Sequence, residues 1–294
     1  MGFAEFEEKE FEKPLYNQLE NGRCDVWSPG QCLEAHIGFD FSGNIDTSEF
    51  WDRFGRFIPK GVILDDYKMG YVLKKMKKEI SLPDYSLNLF IQAKRPYIHS
   101  GTYGESVYDF KHYSFEIKPN QQKILEKLEH KLRHRALLVY ASPVFGTYEE
   151  LYKHTKDRTM ISNTSFPKVS ILSGHTHWYY CSANSGVAHS EPEKYEIQHI
   201  FDLVEELKYQ QEDNKSYHEN LELLAKLITD SLKEFNEDIQ VKYYFYKLDS
   251  IEKSNEYMLY ARKYDYNYRD IILFLRITFF CEVFNLNWFV LQQA

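Results

Sequence analysis

The chain has few cysteines and no excess of basic residues. Both features limit the classes of protein to which it can belong. Its four cysteines include no Cys-x-x-Cys pair, and we expect free thiols in a reduced, cytoplasmic protein. A formal net charge of −8 and a pI of about 5.8 argue against a protein that coats nucleic acid by charge alone. A local basic groove can still coexist with such an acidic remainder.

The chain also lacks a long uninterrupted apolar run. Its most apolar tract, residues 271–291, is broken by Arg276, Glu282 and two asparagines, and charges in the middle of a bilayer are costly. Residues 1–13 are acidic and do not have the basic-then-apolar pattern of a signal peptide. We therefore expect no membrane span and no secretory signal.

The aromatic content is high: 24 Tyr and 21 Phe among 294 residues predict a large, well-filled core. Strand and helix patterns alternate up to about residue 192, whereas helical periodicity prevails in residues 197–209, 217–235 and 257–294. The sequence therefore predicts an α/β region over residues 1–192 and a helical C-terminal region over residues 193–294.

The stretch of residues 87–96 carries the most informative pattern and predicts a short apolar strand. Alternate side chains of a strand share a face, so Leu87, Leu89, Ile91 and Ala93 are expected to point into a core. The other face then consists of Asn88, Phe90, Gln92 and Lys94. Gln92 and Lys94 would thus stand side by side where the strand ends, an arrangement suited to phosphodiester cleavage if carboxylates converge on it.

The elements after this strand are also readable. Residues 112–118 alternate and predict a half-exposed strand, and residues 119–134 have the apolar stripe of an amphipathic helix. Residues 136–140 form a continuous apolar run that predicts a buried strand, and residues 169–172 predict another. The helix at 119–134 would then connect two strands of one sheet.

This order of elements, with Gln92-Ala93-Lys94, resembles the core of the PD-(D/E)xK, or restriction-endonuclease-like, nuclease superfamily over about residues 30–142. Gly38-Phe39-Asp40 is similar to that superfamily's Gly-x-Asp element, and Glu34 lies on the preceding predicted helix. Gln replaces the second acid in some branches, as in Mrr-like restriction enzymes. The resemblance implies a mixed β-sheet core flanked by helices, here with an α-helical C-terminal extension.

The resemblance also implies a Mg²⁺ or Mn²⁺ site, because phosphodiester hydrolysis uses a hard cation to neutralise charge and to acidify the attacking water. Asp40 would bind the metal directly, Gln92 would offer its side-chain oxygen, and Ala93 its carbonyl. Glu34 would bind a second metal or a metal-bound water. Lys94 would orient the nucleophile and stabilise charge on the phosphate. Asp84 is a rival to Asp40, because it lies only a short way before Gln92 in the sequence.

The substrate implied by the resemblance is DNA, and bacterial antiviral defence is a setting for such an enzyme. Arg95 is the best candidate for substrate contact, because it follows the catalytic strand end directly. Lysine and arginine clusters at residues 74–78 and 123–135 are further candidates. Pairing of two copies, and a protein partner bound through the C-terminal helices, are also expected by analogy.

A rival motif follows the predicted strand at 169–172. Gly174-His175-Thr176-His177 resembles the Gly-His-x-His element of calcineurin-like metallophosphoesterases, in which two histidines reach a transition metal. The other motifs of that superfamily are missing from this sequence. A third interpretation is a catalytically inactive interaction protein whose aromatic segment, residues 257–291, packs on a partner chain.

Overall fold

The computed structural model describes residues 2–20, 26–27, 85–100, 110–210, 217–253 and 268–292. Its strands in chain order are β1 (Gly2–Phe3), β2 (Val26–Trp27), β3 (Tyr85–Ala93), β4 (Tyr97–Ser100), β5 (Lys111–Glu116), β6 (Ala136–Pro143), β7 (Thr164–Ser165), β8 (His177–Ser182), β9 (Ser185–His189), β10 (Glu193–Glu196) and β11 (Asn287–Gln292). The helices are α1 (Glu8–Glu20), α2 (Pro119–Leu132), α3 (Tyr148–Lys156), α4 (Ile200–Tyr209), α5 (Tyr217–Leu232), α6 (Ile239–Lys253) and α7 (Tyr268–Phe284). The chain is therefore a mixed α/β protein.

One sheet has six strands in the order β1-β4-β5-β8-β9-β10, and every neighbouring pair is antiparallel. Its inner face is apolar and fully buried at Phe115, Trp178 and Tyr180. Gly186 on β9 makes this packing possible, because a Cβ there would lie only 2.1 Å from Cζ2 of Trp178. The missing side chain of Gly186 is thus the space that the indole ring fills.

The second sheet has five strands in the order β2-β11-β3-β6-β7, with β3 at its centre. β3 and β6 are parallel and pair Gln92 with Tyr140, while β11 runs antiparallel on the other side of β3. The connection from β3 to β6 includes α2, as the sequence predicts. Parallel neighbours need such a crossover connection, because the chain must return from the end of the first strand to the opposite end of the sheet, where the second strand begins.

Two hydrophobic cores lie on the two faces of the five-stranded sheet. Leu89 and Ile91 belong to the core that includes Phe11 and Leu15 of α1, and Phe90 belongs to the core that includes the C-terminal helices and the six-stranded sheet. Both faces of β3 are therefore buried, although its alternation predicts one core face. β5 differs from its prediction in the same way: His112 and Ser114, opposite Phe115, are also buried.

The predicted strand at residues 169–172 is wrong, since Val169–Leu172 is a turn of 3₁₀ helix. Val169 and Leu172 are three residues apart and both are buried, which fits a three-residue period. The side-chain amide of Gln122 donates to the Val169 carbonyl at 2.8 Å, so a helix side chain takes the place of a neighbouring strand. A segment of four residues is too short to separate these two possibilities by its pattern.

The helical prediction for the C-terminal region is wrong at two places, β10 and β11. Helix α7 ends at Phe284, and Asn285 adopts a left-handed conformation with φ of 50°, which Asn tolerates better than most residues. Strand β11 follows and joins the central sheet beside β3, and β10 pairs with β9. Both pairings cross the predicted division at residues 192/193.

Among the described helices, none combines the length and the apolar composition that a bilayer crossing requires.

Candidate functional site

The structure describes only part of the residue set that the sequence predicts. Gln92 and Ala93 end strand β3, and Lys94 and Arg95 follow directly. Glu34, Asp40 and Asp84 lie outside the described residues, as does the basic cluster at 74–78. Whether these acids approach Gln92 therefore stays a prediction.

Gln92 is only 2% exposed and has one of its two polar atoms engaged. Its Nε2 donates to the carbonyl oxygen of Phe284 at 3.2 Å, and this bond fixes the orientation of the amide. Its Oε1 is buried and has no hydrogen-bond partner among the described residues. A buried acceptor without a donor costs about 1–3 kcal/mol, and an amide oxygen in this position suits a hard cation.

Gln121 on α2 reinforces this arrangement. Its Nε2 donates to the same Phe284 carbonyl at 2.5 Å, so two side-chain amides converge on one acceptor at the end of α7. The carbonyl groups in the last turn of a helix lack hydrogen-bond donors within the helix. Here the side chains of Gln92 and Gln121 supply the donors for the carbonyl of Phe284. The end of α7 thus positions Gln92.

The backbone of Lys94 is fixed by hydrogen bonds, whereas its amine has no close partner among the described residues. Its N–H donates to Ala141 at 2.8 Å, and its carbonyl accepts from Ser142 Oγ at 2.9 Å. Its Nζ lies 5.5 Å from the centre of the Tyr140 ring and makes no hydrogen bond or ion pair with any described residue. The pKa of this amine is lowered to about 8, mainly by burial and to a smaller extent by Lys118, against the raising effects of Glu8 and Glu116.

Arg95 is already engaged by the N-terminal segment. Its guanidinium donates twice to the Ala4 carbonyl, at 3.1 and 2.6 Å, and forms an ion pair of 2.7 Å with Glu7. It also lies 5.0 Å from the centre of the Phe3 ring. Arg95 therefore connects the segment after β1 to the loop between β3 and β4. Its predicted contact with substrate stays a prediction.

Helix α1 contributes polar groups that sequence reasoning missed. Glu8, Glu12 and Tyr16 are spaced by four residues and therefore share one helix face. Glu8 accepts from Asn285 Nδ2 at 2.5 Å, and Tyr16 OH accepts from Asn287 Nδ2 at 2.9 Å. Because Asn285 directly follows Phe284, the same turn holds both Glu8 and Gln92. The four-residue spacing in an acidic segment is the signal that points to this face.

Glu12 is the buried member of that face, with 5% exposure. Its Oε2 pairs with Lys9 at 2.8 Å, and its Oε1 has no hydrogen-bond partner among the described residues. Burial raises the pKa of this carboxyl, against the lowering effect of Lys9. Glu12 is thus a second buried oxygen donor on the helix that reaches the Lys94 end of β3.

The described residues do not by themselves make a metal site. Within the described ranges, no three His, Cys, Asp or Glu side chains are grouped closely enough to hold an ion. Gln92 Oε1 fits the predicted magnesium site, since it is an unpartnered oxygen, but Mg²⁺ binding in proteins uses at least one carboxylate. The carboxylates predicted for that purpose are the ones outside the described residues.

The Gly-His-Thr-His segment lies between the 3₁₀ helix and β8. Gly174 has a φ of 77°, which favours glycine, and His177 begins β8. His177 Nδ1 lies 3.1 Å from Thr176 Oγ1, while Nδ1 of His175 is buried with no hydrogen-bond partner among the described residues. The described residues add no third ligand to this pair.

The basic face of α2 is largely neutralised by the chain itself. Lys127 and Lys131 both pair with Glu234, at 2.8 and 3.3 Å. Lys131 also donates to the carbonyl of Asp230.

Clefts of about 760 and 680 Å³ open elsewhere, and neither is lined by Gln92 or Lys94. The Gln92–Lys94 strand end is therefore the candidate site on its chemistry and not on its concavity.

No family model, no curated protein and no solved structure matches this chain.

Proposed function

We propose that the chain is a metal-dependent nuclease of restriction-endonuclease-like fold that hydrolyses phosphodiester bonds in DNA. The observation that carries the proposal is the end of β3. There, Oε1 of Gln92 and the amine of Lys94 lie two residues apart in sequence, and neither has a hydrogen-bond or ion-pair partner among the described residues. The parallel β3–α2–β6 unit behind them supports the same conclusion, because it matches the crossover expected for this fold.

The side chains of the site have separate tasks in the proposed reaction. A bound Mg²⁺ would supply charge neutralisation and acidify the attacking water. Gln92 presents its Oε1 in a fixed direction, because Phe284 holds the other end of the amide. Lys94, as an ammonium, stabilises the negative charge that develops on the phosphate in the transition state. With a pKa of about 8, most of this amine is still charged at neutral pH.

The immediate surroundings keep Lys94 in place and set its charge. Ser142 holds the Lys94 carbonyl and itself accepts from Tyr180 OH at 2.6 Å, so the strand end is connected to the buried core. Glu8 favours the ammonium form electrostatically. The burial that lowers the pKa also removes water, which strengthens the interaction of the amine with a bound phosphate.

The test is cleavage of supercoiled plasmid by the purified protein, with Mg²⁺ or Mn²⁺ and with EDTA. Metal-dependent cleavage that Lys94→Ala and Gln92→Ala each reduce at least about a hundredfold, the scale of one lost transition-state contact, supports the proposal. The matched control is Lys156→Ala, since this exposed lysine lies on α3 outside the site. Cleavage that survives both site substitutions contradicts the proposal.

A calcineurin-like metallophosphoesterase is the second candidate, and one observation favours keeping it. Nδ1 of His175 is buried without a hydrogen-bond partner among the described residues, which is how a metal ligand looks in the absence of its metal. A small chromogenic phosphodiester separates the two candidates. Its hydrolysis is lost with His175→Ala and kept with Lys94→Ala if the phosphoesterase is correct. No activity with either substrate, together with a stable partner complex, would favour the interaction protein.

A further inference from the structure

A cleft of about 680 Å³ lies between helices α2 and α4, at the end of the central sheet where strand β6 begins. Its floor is apolar and consists of four buried residues, Ala136 and Leu137 of β6 with Leu203 and Leu207 of α4. The volume is within the range of roughly 300–1,000 Å³ that is usual for small-molecule sites. We call this space the Glu129 cleft, after the acid on α2 that also lines it.

The Glu129 cleft is separate from the Lys94 strand end. Ala136 begins β6, whereas Tyr140, whose ring lies beside the Lys94 amine, comes four residues later and pairs with Gln92. Four residues of strand cover about 13 Å. Neither Gln92 nor Lys94 lines the cleft. A ligand bound there therefore occupies a second site and not the one proposed for cleavage.

The half-buried carboxyl of Glu129 is poorly satisfied by its surroundings. Its Oε1 accepts from Ser170 Oγ at 3.4 Å, which is long for a hydroxyl donor. Burial raises the pKa of this carboxyl to about 7, against the lowering effects of Ser170 and Lys168. The ionised carboxylate thus lacks strong donors, and a cationic donor that enters the cleft supplies them.

Lys168 provides the opposite charge in the same cleft. It acts electrostatically on Glu129, yet the two side chains do not form an ion pair with each other. Its amine has no hydrogen-bond or ion-pair partner among the described residues, and the same is true of the side chain of Arg133, which also lines the cleft. Acid and cations therefore share one space and are close enough to interact, but they are not in contact.

A ligand that matches all three features has an ammonium group, a carboxylate and an apolar body. The ammonium donates to Glu129, the carboxylate accepts from Lys168, and the apolar body lies on the floor of the cleft. A simple anion would leave Glu129 without a donor, and a simple cation would be repelled by Lys168 and Arg133. We propose that the Glu129 cleft binds a small zwitterion, namely an amino acid with an apolar side chain.

The experiment is isothermal titration calorimetry of the full chain with free leucine, at about pH 7.5 and without metal. Two blocked ligands are titrated beside it: N-acetylleucine has no ammonium group, and leucinamide has no carboxylate. We expect leucine to bind, and each blocked ligand to bind at least about tenfold more weakly, which is the scale of one lost hydrogen bond to a charged group.

Two variants assign the ends of the ligand to their partners. Glu129→Gln should weaken leucine and leucinamide alike, by about tenfold or more. Lys168→Gln should weaken leucine to a similar extent and have a much smaller effect on leucinamide, which has no carboxylate to lose. Damage to the fold would weaken both ligands in both variants. Glu191→Gln, an exposed acid that does not line the cleft, is the matched control and should bind as the parent does.

The dependence on pH gives an independent readout. Leucine should bind more weakly at about pH 5.5 than at about pH 7.5, because Glu129 is then protonated and cannot pair with the ammonium group. This difference should disappear in Glu129→Gln. Protonation of the histidines in the cleft adds positive charge at low pH, which favours the carboxylate of the ligand and thus acts in the opposite direction. The other charged or titratable residues that line the cleft are Glu126, His130, Arg133, His134, Lys168 and Glu206.

Three results would overturn the inference. They are no binding of leucine up to about 10 mM, equal affinity for leucine and N-acetylleucine, and a leucine affinity that neither Glu129→Gln nor Lys168→Gln lowers. Binding of adenosine monophosphate in place of leucine would also overturn it, since the cleft would then be a nucleotide site. The titration contains neither nucleic acid nor metal, so its outcome does not depend on the proposed nuclease function.

Discussion

The side-chain amide of Gln92 donates a hydrogen bond to the carbonyl oxygen of Phe284, at 3.2 Å and across 192 positions of sequence. This single bond connects the end of the central strand to the end of the last helix. It also determines which atom of the amide stays without a hydrogen bond to a described residue: Nε2 donates to Phe284, and the buried Oε1 accepts from none of these residues. The site therefore contains a buried oxygen that is held in place and has no partner within the part of the chain that the structure describes.

The first prediction concerns the stability cost of that oxygen. Gln92→Leu removes one donor bond and one unsatisfied acceptor, and Phe284 keeps its bond from Gln121, so we expect the free energy of unfolding to change by less than about 1 kcal/mol. Plasmid cleavage should nevertheless be lost. Chemical denaturation and the cleavage assay measure the two effects on the same preparation.

Gln122 provides the matched control for this prediction. It is equally buried, but it donates to Val169 and accepts from Tyr140 OH at 2.7 Å, so all of its polar groups are used. Gln122→Leu should cost about 2 kcal/mol or more, because it leaves buried partners unsatisfied. Equal destabilisation by the two substitutions would show that Gln92 Oε1 has a partner after all.

The second prediction concerns the Lys94 amine. With a pKa of about 8 in the folded protein, its rate of acylation by an amine-reactive reagent should reach half of its maximum near pH 8. Mass spectrometry of the Lys94 peptide follows the reaction. The same peptide in the unfolded chain is the control, and it should titrate near the ordinary lysine value of about 10.4.

The charges around Lys94 give this prediction a sign test. Glu8→Gln removes a charge that favours the ammonium form, so the apparent pKa of Lys94 should fall further. Lys118→Gln removes a like charge, so the pKa should rise. Shifts of the same sign in both variants would contradict the arrangement of these side chains.

The third prediction concerns Gly186. A methyl group added there meets the indole ring of Trp178, whose Cζ2 would be 2.1 Å away, and this ring has no exposed surface into which it can move. Gly186→Ala should lower the free energy of unfolding by about 1–3 kcal/mol, as overpacked cores do. Gly2→Ala is the control, because nothing lies within 4 Å of its added Cβ. A Gly186→Ala protein as stable as the parent would mean that Trp178 packs elsewhere.

The fourth prediction concerns pH. Burial raises the pKa of the Glu129 carboxyl to about 7 from an ordinary value of 4.5. Below about pH 4.5 the carboxyl is protonated in both the folded and the unfolded state, so its burial costs no stability. As pH rises through 7 this stability is lost, because the charged form is less favourable in the folded state than in the unfolded state. Glu129→Gln should therefore raise the melting temperature relative to the parent at pH 8, with a smaller difference at pH 4.

The exposed Glu191→Gln is the control for that comparison, and its difference from the parent should not grow between pH 4 and pH 8. A Glu129→Gln difference that is constant over this range would remove Glu129 as the cause.

The sequence predicted those elements whose patterns are long and local. The stripe of Ile124, Leu128 and Leu132 predicted helix α2, and the uninterrupted apolar run from Ala136 predicted strand β6. Alternation predicted β3 correctly as an element. Its two-sided burial could not be predicted, because burial of the polar face depends on helices that come more than a hundred residues later.

The failures share a cause of the same kind. Strand β11 owes its conformation to pairing with β3 and to the left-handed turn at Asn285, and neither is visible in an apolar aromatic tract that also suits a helix. Residues 169–172 are too short for their period to be read. The polar face of α1 was overlooked because acidic residues on a helix usually face solvent, whereas Glu12 here is buried.

The pairing of β11 with β3 has a consequence for synthesis of the protein on the ribosome. Gln92 leaves the exit tunnel long before Phe284 has been translated, so the nascent chain carries the strand end without the group that orients its amide. Nearly two hundred further amino acids must be joined before the hydrogen bond that orients Oε1 can form. A cell making this protein would thus be shielded from the proposed activity until elongation has passed β11.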